Sequence, residues 1–271
     1  MKEAYFSRII ACVRSASSEQ RLTTLCSEYK ESGTLQIYRN ENVKAAQSAS
    51  IIILGVDPAD VGTTLKEPGL VGALKGKLLI SVVAGWTRPR LENVICRSRS
   101  ITDEIWIVRA LPNVAAQISQ SITAIEDPDP SIPKQHLSTA TAIFEQIGRV
   151  VHVQERLMPA ATAVGGSTPA FWAIICDAFI DAAVAVGMPR DIAQQMIYQS
   201  MRGSAEMLQN GIQPGELRDM GTSPEGCTIG GVMVMEEAGV RGALGKALRE
   251  AVTIARLMGG DADGLHVNDT R

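Results

Sequence analysis

The chain has 271 residues, 45% of them apolar and 20% charged, with a formal net charge of −3. That length holds one large domain or two ordinary ones with a real core. A nearly neutral balance without a basic block excludes a nucleic-acid footprint and a polybasic membrane patch. The five cysteines (Cys12, Cys26, Cys96, Cys176, Cys227) form no CxxC pair, and the three histidines are scattered. They read as reduced thiols of a cytoplasmic protein, with no metal site. The segment Met1 to Ser15 is no signal peptide, its apolar run being short and flanked by charge. No uninterrupted apolar stretch reaches the ~20 residues of a membrane helix. The expectation is a soluble protein with neither nucleic-acid nor membrane partners.

In chain order, the run from Arg8 to Val13 reads as a buried strand. Ser18 to Lys30 reads as a helix that Ser17 or Ser18 caps, with Leu22, Leu25 and Cys26 on one face. A short strand is expected over Leu35 to Tyr38 and a short helix over Asn42 to Ser48. The continuous apolar run Ser50 to Val56 has the pattern of a strand covered on both faces. A helical or irregular stretch follows Asp57-Pro58. Further strands are expected at Lys77–Val83, Ile105–Arg109 and Ser121–Ile125, then, past the Pro-rich loop Asp127 to Pro133, at Val150–Val153. Strands alternating with helices give an α/β domain with a parallel sheet.

Beyond Gln154 the pattern changes. Met158 to Val186 is apolar on all sides, which predicts a buried helix. Pro189 opens another helix, with Ile192, Met196, Met201, Ala205 and Leu208 as a core stripe. Gly211 to Gly231 looks like loop, Gly239 to Leu257 like a last helix, and the polar tail from Gly259 like a frayed end. Two domains are therefore expected: an α/β domain over residues 1–153 and an all-helical domain over 154–271. The helical part has more apolar surface than it can hide, which predicts a homodimer or larger homo-oligomer.

Four features share one order and spacing. They are Ile52-Ile-Leu-Gly-Val-Asp-Pro58, Leu79-Ile-Ser-Val-Val-Ala-Gly85, Val108-Arg-Ala-Leu-Pro-Asn113, and the helical half. That half carries Gly165-Gly-Ser-Thr-Pro-Ala-Phe171, Gly187-Met-Pro-Arg190, and the stretch from Leu217 through Thr222-Ser-Pro-Glu-Gly-Cys-Thr228 to Gly231. Together they resemble the pyrroline-5-carboxylate reductases, fungal-type sequences in particular, over roughly residues 7 to 259. The resemblance implies a Rossmann-like domain followed by a helical dimerisation domain, with the active site between the cofactor domain and the helices of both subunits. It implies hydride transfer from NADPH, or NADH, to a small cyclic imino acid, with proline the usual product.

Such chemistry asks little of the protein beyond holding a carboxylate and orienting a ring against the cofactor. Hydroxyls and N–H groups at a helix start hold a carboxylate well, and Thr222 to Thr228 has that composition. By resemblance Ser223, Gly226 and Thr228 form the catalytic set, with Thr222 and Ser167 also contacting substrate. An ordinary capped helix start explains the same residues, as capping by Ser167 or Thr168 explains the Gly165 segment. Arg14 with Ser15 closes a strand where an acidic residue would suit a free 2′-hydroxyl; an arginine with a hydroxyl neighbour suits a 2′-phosphate, hence NADP. A plain surface arginine is the competing reading. Asn42 (ribose contact or helix cap) and Asn113 (nicotinamide contact or turn residue) stay open, and the resemblance adds Pro58, Ala84 and Gly85 to the cofactor set.

Several positions depart from the family. No GxGxxG loop precedes Arg8, so the first strand, glycine loop and helix, roughly 30 residues, are expected to be missing. The preferred reading is an incomplete gene model; the other is a truncated, inactive product. Asp57 stands where the family has lysine, Glu225 where it has glycine, and Gln213 where it often has histidine. Two alternatives follow: reduction of the six-membered piperideine carboxylate to pipecolate, and a non-catalytic helical dimer.

Overall fold

The structure is a computed structural model that describes residues 6–96 and 105–259. The tail past Gly259, with His266, lies outside the described residues, as does the Cys96 side chain. The described residues form two compact units, 6–166 with 254–259, and 167–253.

The first unit opens with β1 (Ile9–Val13), α1 (Ala16–Leu25), α2 (Ser27–Glu31) and β2 (Leu35–Arg39). Ser15, not Ser17 or Ser18, caps α1: its hydroxyl accepts from the Ser18 N–H. The helix expected as one piece breaks at Cys26, whose N–H closes on Leu22. Then come α3 (Asn42–Gln47), β3 (Ile51–Leu54), α4 (Val61–Leu65), α5 (Leu70–Leu74), β4 (Leu78–Ser81) and α6 (Arg88–Cys96). The unit's sheet closes with β5 (Trp106–Leu111), β6 (Ser121–Glu126), α7 (Lys134–Glu145) and β7 (Gly148–Val153). Helices α6 and α7 were not anticipated. In α7, Ala140 and Phe144 pack on the sheet one turn apart.

The strands form two sheets. β1 and β2 pair in parallel, and β3-β4-β5-β6-β7 form a five-stranded sheet. It is parallel except between β5 and β6, where Ala110 faces Ile125 across an antiparallel pair. The expected parallel sheet holds at every other pair of the five strands. Only the short turn Val114–Ile118 joins β5 to β6, and a parallel partner needs a crossover of a dozen residues or more. β4 is fully buried, with Leu78, Leu79 and Ile80 at 0–1% exposure. Each such side chain contributes about 1.5–3 kcal/mol.

No described strand lies between β1 and β3, and no ladder joins them. They are tied at both ends. Arg8 Nη2 donates to the Ser48 carbonyl, and Arg14 Nη1 meets Asp60 Oδ2 at 2.8 Å. An apolar slot of about 340 Å³ runs between them, lined by Ile10, Cys12, Ile52, Leu54, Leu65 and Leu79. This corrects the reading of Ser50 to Val56 as covered on both faces: Ile53 is 52% exposed. β3 is an edge strand here, whereas its apolar pattern suits the inside of a sheet.

Beyond β7, a 3₁₀ turn (Glu155–Leu157), α8 (Met158–Ala161), a π-helical turn (Thr162–Ser167) and α9 (Thr168–Ala185) follow without a break. α10 (Arg190–Gln209), α11 (Pro214–Met220), α12 (Cys227–Glu237) and α13 (Val240–Gly259) complete the chain. The segment read as loop therefore contains α11 and the start of α12. The long apolar helix is not buried within the chain: Trp172 is 53%, Ile174 69% and Val186 85% exposed. The stripe assigned to the α10 core is open too, for Ile192, Met196, Met201 and Leu208 are all exposed while Ala193 is buried. Among the described residues these faces are exposed, and patches of this kind mark interaction surfaces.

Candidate functional site

β1 and β3 both end at one rim of the first unit, where a cavity of about 800 Å³ opens. Arg14, Ser15 and Asn42 all line it, so three of the expected cofactor residues come together there. Each already has a hydrogen-bonding partner. Arg14 pairs with Asp60. The Ser15 hydroxyl caps α1 and bonds to Ser17 and Ser18. Asn42 Nδ2 donates to Glu67 Oε2 at 2.8 Å; the N-cap position of α3 belongs to Glu41, so Asn42 is not a helix cap. Asp57 lines the same cavity, and its Oδ1 accepts from the Ala59 N–H. Pro58 is fixed by its carbonyl, which accepts from Trp86 Nε1 at 2.8 Å.

A second cavity in this unit, of about 500 Å³, is lined by Gly85, Thr87, Arg109, Arg156, Thr162 and Arg256 among others. Gly85 follows Ala84 after β4, at φ +75°, and a Cβ there would stand 2.7 Å from the Met258 Cβ and 2.9 Å from its carbonyl oxygen. Backbone conformation and close approach both require glycine. Asn113 caps the 3₁₀ turn after β5: its Oδ1 accepts from Ala115 N–H, and its Nδ2 donates to the Gly165 carbonyl at 2.8 Å. Asn113 thus makes the contacts of a turn residue.

Arg109 was quoted only as part of a motif. It makes a 2.6 Å ion pair with Glu126 across β5 and β6, each side chain 5% exposed. Arg88 approaches the same carboxylate at 3.8 Å and Asp129 at 3.2 Å. Burial pushes the Glu126 carboxyl above its ordinary pKa, against the pull of Arg109 and Arg88. A lone arginine inside an apolar strand was the available signal, since buried charges need partners.

In the second unit, Thr222, Ser223, Gly226 and Thr228 surround the start of α12. Gly226 N–H donates to the Ser223 carbonyl, closing a turn with Pro224 second and Glu225 third. Glu225 sits at φ +57°, a conformation that glycine adopts without strain. It caps nothing in α12, which starts at Cys227 with no side-chain cap. Among the described residues no side chain caps the first N–H groups of α12, and Ser223 and Thr228 are exposed beside them in sequence. Gly226 is packed so closely that a Cβ would meet Ser223 Oγ at 2.5 Å. Thr222 Oγ1 donates to the Asp219 carbonyl. Ser167 occupies the N-cap position of α9 but makes no capping bond, because the π turn before it keeps the backbone helical.

Residues 155–258 match the family model for pyrroline-5-carboxylate reductase dimerisation, and residues 7–85 match that for NADP oxidoreductase, coenzyme F420-dependent. A pyrroline-5-carboxylate reductase of Lophium arboricola is 41% identical over 269 residues, covering 98% of this chain and 83% of that one. The chain belongs to the pyrroline-5-carboxylate reductase family. A member from Synechocystis is 36% identical over 81% of this chain and 79% of its own. Among solved structures, the Coxiella burnetii enzyme superposes with a TM-score of 0.77 at 26% identity, covering 94% of this chain and 90% of the other. A Plasmodium falciparum pyrroline carboxylate reductase with NADP bound shares the fold (TM-score 0.77, 23% identity, 93% and 98% covered).

Proposed function

We propose that the chain reduces 1-pyrroline-5-carboxylate to L-proline, with NADPH the preferred donor and NADH a possible one. The observation that carries the reading is the rim of β1 and β3, where Arg14, Ser15 and Asn42 converge on one cavity in a member of this family. Residues 1–153 are proposed as the NADP-binding domain and 154–271 as the dimerisation and substrate domain. Bound nicotinamide supplies the hydride. Arg14 and Ser15 hold the phosphate-bearing ribose, Asn42 the adenosine side, and Pro58, Ala84, Gly85 and Asn113 shape the path along the strand ends. The first N–H groups of α12, with Ser223 and Thr228, hold the substrate carboxylate, and Thr228 donates a hydrogen bond at the imine nitrogen or carboxylate. Thr222, Gly226 and Ser167 complete the wall.

The exposed apolar faces of α9 and α10 belong to the stretch matching the dimerisation model, which supports a homodimer or larger assembly. The helical stretch Glu155–Ala185 has a mean hydropathy of 1.5 and is long and apolar enough to cross a membrane by length and composition, though Asp177 and Asp181 interrupt its apolar run. We assign its cover to a second copy, not lipid. Cys12, Cys26, Cys176 and Cys227 are free thiols, which suits the reducing cytoplasm.

Two further readings each rest on an observation. Glu225 in the turn before α12 favours a changed substrate, the six-membered piperideine carboxylate. The unpaired facing edges of β1 and β3 favour a non-catalytic helical dimer. One assay separates the three: NADPH oxidation with each imine in turn, beside the NADPH-induced shift in melting temperature. Faster turnover of the five-membered imine upholds the proposal, and faster turnover of the six-membered one replaces it. Absence of both turnover and shift leaves the helical dimer.

A further inference from the structure

The cavity at the ends of β1 and β3 is lined by two cations, Arg14 and Lys66, against three carboxylates, Asp57, Asp60 and Glu67. Two of those carboxylates bond the very groups assigned to the cofactor: Asp60 holds Arg14 at 2.8 Å and Glu67 holds Asn42 at 2.8 Å. Asp60 is the residue just before α4, at its N-cap position, and makes no capping bond there. Its hydrogen-bonding partner in the structure is Arg14, which reaches it from the other sheet while remaining 81% exposed at the side chain.

We propose that Asp60 is a specificity determinant for the cofactor: its carboxylate competes with a 2′-phosphate for Arg14 and so narrows the preference for NADPH over NADH. The inference rests on the cofactor reading above. Asp60 takes one Arg14 nitrogen, Nη1, of a guanidinium with five N–H donors, so a 2′-phosphate held by the remaining donors shares Arg14 with that carboxylate and faces its charge at short range. A free 2′-hydroxyl carries no such charge and bonds equally well with the ion pair intact. Glu67 acts differently, because Asn42 faces a part of the cofactor common to both forms. The two carboxylates therefore have separate signatures. Removing the Asp60 charge favours NADPH alone, and removing the Glu67 charge favours both cofactors alike. Arg14 is exposed, so its ion pair is worth up to about 1 kcal/mol, or about fivefold in affinity.

The test is calorimetric titration of the full chain with NADPH and with NADH at fixed ionic strength. The proteins are the wild type, Asp60→Asn, Glu67→Gln, Arg14→Ala and the Arg14→Ala/Asp60→Asn double variant. Asp60→Asn should tighten NADPH about fivefold and move NADH less than about twofold. Glu67→Gln should shift both by a similar factor, and the gain from Asp60→Asn should vanish in the Arg14→Ala background. An equal effect of Asp60→Asn on both cofactors overturns the inference, as does no tightening of NADPH or a gain that survives loss of Arg14. In each of those cases the cofactor site itself stands. If neither the wild type nor Asp60→Asn binds either nucleotide, the cofactor reading falls and this inference with it.

Discussion

Replacing Arg109 with methionine isolates the buried pair at the centre of the sheet. The change keeps an unbranched side chain on β5 but strands the Glu126 carboxylate, 5% exposed and already pushed toward protonation by burial. Breaking a buried pair by removing one partner costs about 3–5 kcal/mol. Arg88 Nε still lies 3.8 Å from the other carboxylate oxygen, which puts the expected loss near the lower end, about 3 kcal/mol at pH 8. The pH dependence has a definite sign. A carboxyl whose folded pKa is raised binds its proton more tightly in the folded state. The variant's penalty is therefore small near the unfolded pKa, about 4.3, and grows as pH rises toward the folded value. Urea unfolding followed by circular dichroism at pH 5 and pH 8 reads both quantities. A companion variant, Arg109→Met with Glu126→Leu, removes both charges and should lie within about 1 kcal/mol of the wild type, since two stranded groups become apolar contacts. The reasoning fails if Arg109→Met costs less than about 1 kcal/mol at pH 8, or if its cost is the same at pH 5.

Two further predictions concern single carboxylates. Hydrogen bonds from Ser131 and the neighbouring Arg88 guanidinium hold Asp129 at a pKa of about 2, down from 3.8. Its stabilising contribution is complete above the unfolded value and is lost as pH falls from 3.8 toward 2. Melting temperatures of Asp129→Asn should consequently fall less steeply than those of the wild type across that window, and parallel slopes would refute the assignment. Glu225→Gly relieves a left-handed backbone at φ +57°, worth about 1–2 kcal/mol, against the roughly 0.5–1 kcal/mol that glycine's extra freedom costs. A rise in melting temperature of about 2 °C is expected, and a fall would show that the Glu225 side chain makes a compensating contact.

What could be read from one dimension was whatever depends on neighbours in sequence. The strands at Ile9, Leu35, Ile51, Leu78, Trp106, Ser121 and Gly148 begin within a residue or two of their expected positions, because runs of β-branched and aliphatic residues have few other solutions. Family membership was legible in Thr222 to Thr228 and the segments before it, and the 41% identical relative bears it out. The convergence of Arg14, Ser15 and Asn42 also followed, as they close or flank successive strands of one αβ layer.

Tertiary structure decided the rest. Arg109 finds Glu126 17 residues away only because β6 turns back antiparallel beside β5, and no periodicity encodes that turn. Arg14 meets Asp60 across two sheets. That contact makes Arg14, proposed above to hold the cofactor, half of an ion pair, which residue type alone cannot show. The apolar faces of α9 and α10 look like core in sequence and are open in the folded chain. Hydrophobicity specifies that a surface must be covered, and only the fold determines whether the cover comes from the same chain or from another copy.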